Sequence, residues 1–180
     1  LSACHVIQVK AWTQCSGKMV PKNPKTVRKM TMKTKSLLLA LALLGAASAV
    51  QAAPNCSIKL KGDDRMQFDL KTATVSAGCA TITIELTHTG SLPATAMGHN
   101  GVITATKDEA AVASAGIKAK ATDYVPAGDA RVLASTKIIG GGASTKATFP
   151  GKKLTAGGDY SFFCSFPGHS GLMKGKLTFG

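Results

Sequence analysis

A thiol, an imidazole and a thioether stand within ten residues near the C-terminal end of this sequence. The run Cys164-Ser165-Phe166-Pro167-Gly168-His169-Ser170-Gly171-Leu172-Met173 has the spacing C-x4-H-x3-M. Pro167-Gly168 favours a turn, so one loop can fold all three donors around a single point. A second imidazole is available at His99, in the turn-like run Met97-Gly98-His99-Asn100. Two histidines and a cysteine with a weak axial methionine form a blue-copper electron-transfer site. In that chemistry the Cys164 thiolate is the strong covalent donor and the route for electronic coupling. The neutral imidazoles of His99 and His169 suit both oxidation states, and the soft thioether of Met173 favours Cu(I) and helps tune the potential. Asn100 is expected to fix the two loops through hydrogen bonds outside the ligand set.

Taken singly, each of these residues has a plainer role. A cysteine on a strand is usually a small buried hydrophobe, and a methionine usually fills core space. Their joint spacing is what points to one metal ion. Zinc also accepts a Cys/His2 set, but the axial methionine favours copper. Catalysis is not expected. An enzyme of this kind needs an open coordination position or a second metal cluster, and the chain has only four histidines, one of them at position 5. No spacing resembles a hydrolytic triad.

The elements that must carry these loops read as short strands. Ala80–His88 alternates strictly, with Ile82, Ile84, Leu86 and His88 on one face. Asp159–Cys164 places Tyr160, Phe162 and Cys164 on one face, and Lys174–Phe179 closes the chain. Further strand-like runs are 56–61, 72–76, 101–105, 131–139 and 145–149. Turn signals such as Gly62-Asp63, Gly140-Gly141-Gly142 and Gly157-Gly158 separate them. Seven or eight short strands predict an all-β, antiparallel Greek-key sandwich or barrel. One stretch breaks the period of two. Thr106-Lys107-Asp108-Glu109 has the T-x-x-E pattern of a capping box. Ala110–Ala115 then favours a short inserted helix that Gly116 would end.

The formal charge of +13 suggests a nucleic-acid binder until it is located. Residues 1–52 hold 8 of the 22 Lys/Arg and none of the 9 Asp/Glu, so residues 53–180 net +5. They show no Lys/Arg block of the kind a nucleic-acid patch needs. Within 30–52, Lys33 and Lys35 precede the apolar run Leu37–Leu44, and small residues lead to Ala52. That is the layout of a secretory signal peptide, with cleavage expected after Ala52 and Ala49 as the alternative. The apolar run is about half the ~20 residues a membrane span requires. Residues 1–29 show no hydrophobic periodicity and read as an upstream segment outside the natural protein or without a fold. Cys4, His5, Trp12 and Cys15 all lie there. The functional domain is then 53–180, exported to the periplasm and free of membrane once the signal is removed. It retains Cys56, Cys79 and Cys164. In an oxidising compartment two of the three can pair.

Residues 53–180 resemble the azurins, the bacterial blue-copper cupredoxins, over nearly their whole length. The matching stretches include Cys56-Ser57-Ile58, Met66-Gln67-Phe68, Gly90-Ser91-Leu92-Pro93, Met97–Asn100, Thr136–Gly140 and Phe162–Gly175. The C-x4-H-x3-M spacing is that of azurins rather than plastocyanins. The resemblance implies one copper ion held by His99, Cys164, His169 and Met173, with the Gly98 carbonyl as a distant contact opposite Met173. It implies a Cys56–Cys79 disulfide at one end of the barrel, worth roughly 3 kcal/mol on the chain-entropy model. It also matches His88 to a buried histidine whose protonation is pH-dependent in relatives. A satisfied core histidine is the more economical reading of a residue on that strand face. Met66, Leu92, Ala96, Met97, Ile117, Phe166, Pro167 and Leu172 are expected to surround the exposed edge of His169. Such an apolar patch would dock transient redox partners, such as c-type cytochromes or a periplasmic reductase. The implied function is a monomeric single-electron shuttle, and the alternative is a copper carrier or storage protein. One departure stands out. Azurins often carry tryptophan directly after G-H-N, whereas this chain has Gly101, which predicts either different core packing or a cavity.

Overall fold

The computed structural model describes residues 12–15, 18–21 and 53–180. The chain divides into two units, Leu1–Gln51 and Ala52–Gly180. In the first, β1 (Trp12–Cys15) and β2 (Lys18–Pro21) pair antiparallel. The expected signal segment at 30–52 lies outside the described residues.

The second unit is a two-sheet sandwich of eight strands. They are β3 (Ser57–Gly62), β4 (Thr72–Val75), β5 (Thr81–His88), β6 (Val102–Ala105), β7 (Ala134–Ser135), β8 (Ser144–Pro150), β9 (Tyr160–Phe163) and β10 (Lys174–Phe179). One sheet has the order β4-β10-β9-β6-β7 and the other β3-β5-β8. The expected antiparallel sandwich is in fact mixed, because β3 runs parallel to β5 and β4 parallel to β10. The alternation on β5 is as the sequence predicts, since every second residue from Ile82 to His88 is buried. Ile58, Leu60, Ile82, Ile84 and Leu86 from one sheet meet Val75, Ile103, Phe162, Leu177 and Phe179 from the other in a single core.

Strand β9 is buried on both faces. Tyr160 and Phe162 belong to the main core, while Phe163 joins Val102, Val112 and Ala113 in a second cluster. That second cluster exists because helix α2 (Glu109–Gly116) covers the outer face of the five-stranded sheet. Continuing the alternation by one residue puts Cys164 in the main core with no exposure. The sheet therefore delivers the thiol into a dry interior.

Three local expectations need correction. The capping box at 106–109 does not form. Thr106–Asp108 is a 3-10 turn leading into α2, and neither N-terminal position carries a side-chain cap. The Thr106 hydroxyl bonds to Asp159 and Ser161, and Glu109 binds Lys174. Gly116 is the last helical residue, and a Cβ there would run into the Tyr124 carbonyl. The long strand expected at 131–139 shrinks to Ala134–Ser135 plus a bridge between His99 and Ile139. Its ladder is interrupted where the Thr136 hydroxyl, rather than a backbone carbonyl, accepts from the Gly101 amide at 2.9 Å. A one-turn helix, α1 (Ala94–Met97), was not expected. At Gly101 the core has adjusted. Leu60 and Ile84 close in so that a Cβ would sit 3.4–3.6 Å from their methyl groups.

Candidate metal centre

His99, Cys164 and His169 converge. Their nitrogen and sulfur donors all lie within 4.8 Å of one another, and all three residues are buried. The local structure explains the convergence. The turn after β9 runs through Pro167 and Gly168, whose φ of +85° suits glycine. The His169 amide donates to the Phe166 carbonyl, and the Met173 amide donates back to the His169 carbonyl at 2.8 Å. The Cys164 amide then donates to the Met173 carbonyl at 2.9 Å, closing the loop at its base. His99 comes from the other side. Its amide and carbonyl both pair with Ile139, at 3.0 and 2.9 Å.

The two loops are tied to each other by Asn100. Its side-chain oxygen accepts from the Ser165 amide, and its amide nitrogen donates to the Ser165 hydroxyl and the Asp123 carbonyl, each at 2.9 Å. This buried side chain is the cross-link expected of it. It secures the residue after His99 to the residue after Cys164 without touching the donors.

Each imidazole is oriented. Nε2 of His99 lies 2.9 Å from the Asp63 carbonyl, and a proton held there leaves the Nδ1 lone pair available to a cation. That Nδ1 is 3.0 Å from the Gly98 carbonyl oxygen, and Gly98 O is 3.8 Å from the Cys164 sulfur. With the proton on Nε2, the Nδ1 and the Gly98 oxygen both offer lone pairs to a cation. Nδ1 of His169 lies 3.6 Å from the same sulfur. Met173 is fully buried, and its terminal methyl and the His99 ring both border Gly62. A Cβ on Gly62 would lie 2.6 Å from that methyl and 2.7 Å from His99 Cδ2. Gly98 is equally confined, by the Ala94 carbonyl, Ile138 and Phe166.

Burial sets the protonation of the set. It pushes the Cys164 thiol up to about 11, although the Asn100 and Phe166 backbone amides pull the other way. It holds His169 down to about 4, and the neighbouring imidazoles add to this. His99 is also lowered, chiefly by burial. At neutral pH the site therefore offers two neutral imidazoles and a thiol whose proton a metal cation displaces.

His88 stacks on His99 with ring centroids 4.2 Å apart and planes 10° from parallel. Its Nδ1 accepts from the Gly90 amide and its Nε2 donates to the Met97 carbonyl. Both nitrogens are occupied by protein, so His88 supports a ligand and is not one. The docking-patch residues fall around the ligand loops. Leu92, Ile117 and Leu172 are exposed, and Met66, Met97, Phe166 and Pro167 are half-buried. His169 itself keeps only 3% exposure, so its expected exposed edge is nearly covered. Phe166 lies against its ring at a centroid distance of 4.7 Å.

Sequence reasoning missed Gly62, Asp63 and Ser165. It also missed that Met66, Asp123 and Tyr124 adopt left-handed backbone conformations, with φ of 57–59°. Such conformations cost about 1 kcal/mol or more each and persist where surrounding structure fixes them. Met66 closes the turn that presents the Asp63 carbonyl, and Asp123 presents the carbonyl that Asn100 uses.

An eight-stranded sandwich carrying two imidazoles, one free buried thiol and a buried thioether at one end defines a type 1 copper protein. Residues 54–180 match the model of the copper-binding proteins of the plastocyanin/azurin family, and the chain belongs to that family. An azurin of Bordetella pertussis is 52% identical over 144 residues, covering 79% of this chain and 96% of that protein. An azurin of Alcaligenes faecalis is 51% identical over 126 residues, 69% of this chain and 98% of its own. The solved structure of an azurin (Az-iso2) from the obligate methylotroph Methylomonas sp. strain J superimposes with a TM-score of 0.67 at 37% identity. It covers 69% of this chain and 98% of that one.

Proposed function

We propose that residues 53–180 form a periplasmic carrier of single electrons that holds one copper ion through His99, Cys164, His169 and Met173, with the Gly98 carbonyl as a weak further contact. Copper supplies reversible one-electron exchange between Cu(I) and Cu(II). The observation that carries the reading is the orientation of the donors by bonds that do not need the metal. The Asp63 carbonyl fixes the His99 ring, the Asn100 bridge fixes both loops, and the Met173 carbonyl fixes the base of the Cys164 loop. A donor set held by the fold changes little when the charge at its centre changes by one. The small rearrangement is what fast electron transfer requires.

The same burial excludes water, so no open position for a substrate is supplied, in keeping with a carrier rather than an enzyme. Electrons would enter and leave along the nearly covered His169 ring, beneath the patch of Met66, Leu92, Met97, Phe166, Pro167 and Leu172. Redox proteins such as c-type cytochromes would dock there transiently. Export is supported by the signal-like pattern of 30–52 and by the Cys56–Cys79 disulfide. The alignment with the Bordetella pertussis azurin, at 144 residues, is also longer than residues 53–180 alone.

Stopped-flow mixing of the copper-loaded protein with a reduced c-type cytochrome tests this function. Reversible bleaching of the copper chromophore, with copper retained through repeated cycles, is expected. Release of copper on reduction would instead identify a copper carrier or store.

A further inference from the structure

The cations around the apolar patch are not evenly placed. Among the described residues the large exposed apolar side chains are Leu92, Ile117 and Leu172, at 40%, 55% and 59% exposure, and all border the ligand loops. Between α2 and the ligand loop runs a groove of about 340 Å³, walled by Ile117, Phe166 and Pro167 and floored by Ala113 and Ser165. Its one acidic residue, Glu109, is neutralised by Lys174 at 2.9 Å. On the Leu172 side, the Lys71 ammonium rests on the Leu172 carbonyl at 3.4 Å and has no carboxylate partner among the described residues. On the Ile117 side, exposed Lys118 follows directly and exposed Lys120 opens the next turn, which Asp123 ends.

The surroundings of Leu92 differ. Near Leu92, Asp64 accepts the Ser91 and Leu92 amides, and these bonds hold its carboxyl below its ordinary range. Asp63 is matched by Arg65. Exposed lysines thus stand beside Leu172 and Ile117, and a carboxylate stands beside Leu92.

We propose that this domain docks a redox protein whose cofactor edge is set in apolar surface and flanked on one side by carboxylates, oriented so that those carboxylates meet Lys71 and Lys118. This proposal rests on the electron-carrier reading. Charges at the rim of an interface act mainly on encounter rate and orientation, and their effect fades with salt. The apolar centre supplies contact without preference. The margin supplies the choice of partner.

The test is the bimolecular electron-transfer rate of the full copper-loaded domain, measured by stopped flow with two small c-type cytochromes, one with an acidic docking face and one with a basic face. Ionic strength is varied from about 10 mM to about 150 mM, which shortens the screening length from ~30 Å to ~8 Å. With the acidic partner the wild-type rate should fall as salt rises. The double variant Lys71→Glu/Lys118→Glu should be about tenfold slower at low salt and converge with wild type at high salt. With the basic partner the same variant should be faster. Lys152→Glu, which follows the Gly151 amide bond to Ala80 at the disulfide end, changes net charge equally per residue and should alter the rate by less than about twofold. Unchanged visible spectra in all variants show that the site is intact. Salt-independent rates, or an effect of Lys152→Glu per charge equal to that of the rim pair, would overturn the proposal while leaving the carrier reading standing. Absence of electron transfer with both cytochromes, in a protein with an intact chromophore, would overturn the carrier reading itself.

Discussion

The two ends of the sandwich solve opposite problems. At one end Cys56 and Cys79 are joined, with Cα atoms 5.6 Å apart, and the strand termini around them are fastened by ordinary backbone bonds. The Ser76 amide donates to the Asn55 carbonyl, and the Gly180 amide to the Val75 carbonyl. At the other end Cys164 is left unpaired among buried histidines, and nothing covalent holds its loop. Hydrogen bonds between distant segments do that work: Asp63 to His99 and Asn100 to Ser165. The covalent end stabilises the chain as a whole. The hydrogen-bonded end spends stability on burying donors and on three left-handed residues. The difference teaches that stability and chemistry are separable here, and that each can be removed without the other.

The largest expected effect is at the open thiol. Cys164→Ser removes the covalent donor, and the copper-loaded variant should lose its intense blue absorption entirely while keeping its far-UV circular dichroism. Removing the other cysteine function has the converse signature. The Cys56→Ser/Cys79→Ser variant should keep the blue band and lose about 3 kcal/mol in urea unfolding, as expected for a loop of this length. A changed spectrum there would break the separation of the two ends.

Asn100→Ala lies between these extremes. It strands the Ser165 amide and hydroxyl in a buried setting, and about 2 kcal/mol of stability should be lost. The copper absorption should broaden as the two loops loosen. The smallest effect is one of pH. His169 is buried neutral with its value lowered to about 4, and His99 is lowered in the same direction. The unfolded chain binds these protons near pH 6.5 and the folded chain only at lower pH. Through these two groups the metal-free protein should therefore lose stability as pH falls from about 6.5 towards 4. A flat profile from urea titrations across that window would contradict the burial of neutral imidazoles.

The parts legible in the sequence are those set by short-range spacing. C-x4-H-x3-M places its donors within one loop, so Cys164, His169 and Met173 could be read directly. The alternation through Ile82–His88 marked both a core strand and the burial of His88. The unread parts depend on residues distant in the chain. Asp63 meets His99 across 36 positions and Ser165 meets Asn100 across 65, and neither pairing leaves a local pattern. Gly62 was read as a turn residue, but it ends a strand and leaves room for Met173 and His99. Thr106 and Glu109 show the reverse failure. Their spacing matched a local motif, yet each side chain found a better partner on β9, β10 or the adjoining loop.

The central claim is a preformed, buried set of two imidazoles, one thiol and one thioether that takes a single copper ion. Titration of metal-free residues 53–180 with Cu(II), followed by visible absorption and electron paramagnetic resonance, tests it most directly. The account predicts saturation at one copper per chain, an intense thiolate-to-copper band and a narrow hyperfine splitting. A pale species with the wide splitting of a tetragonal site, or binding that survives Cys164→Ser unchanged, would contradict it.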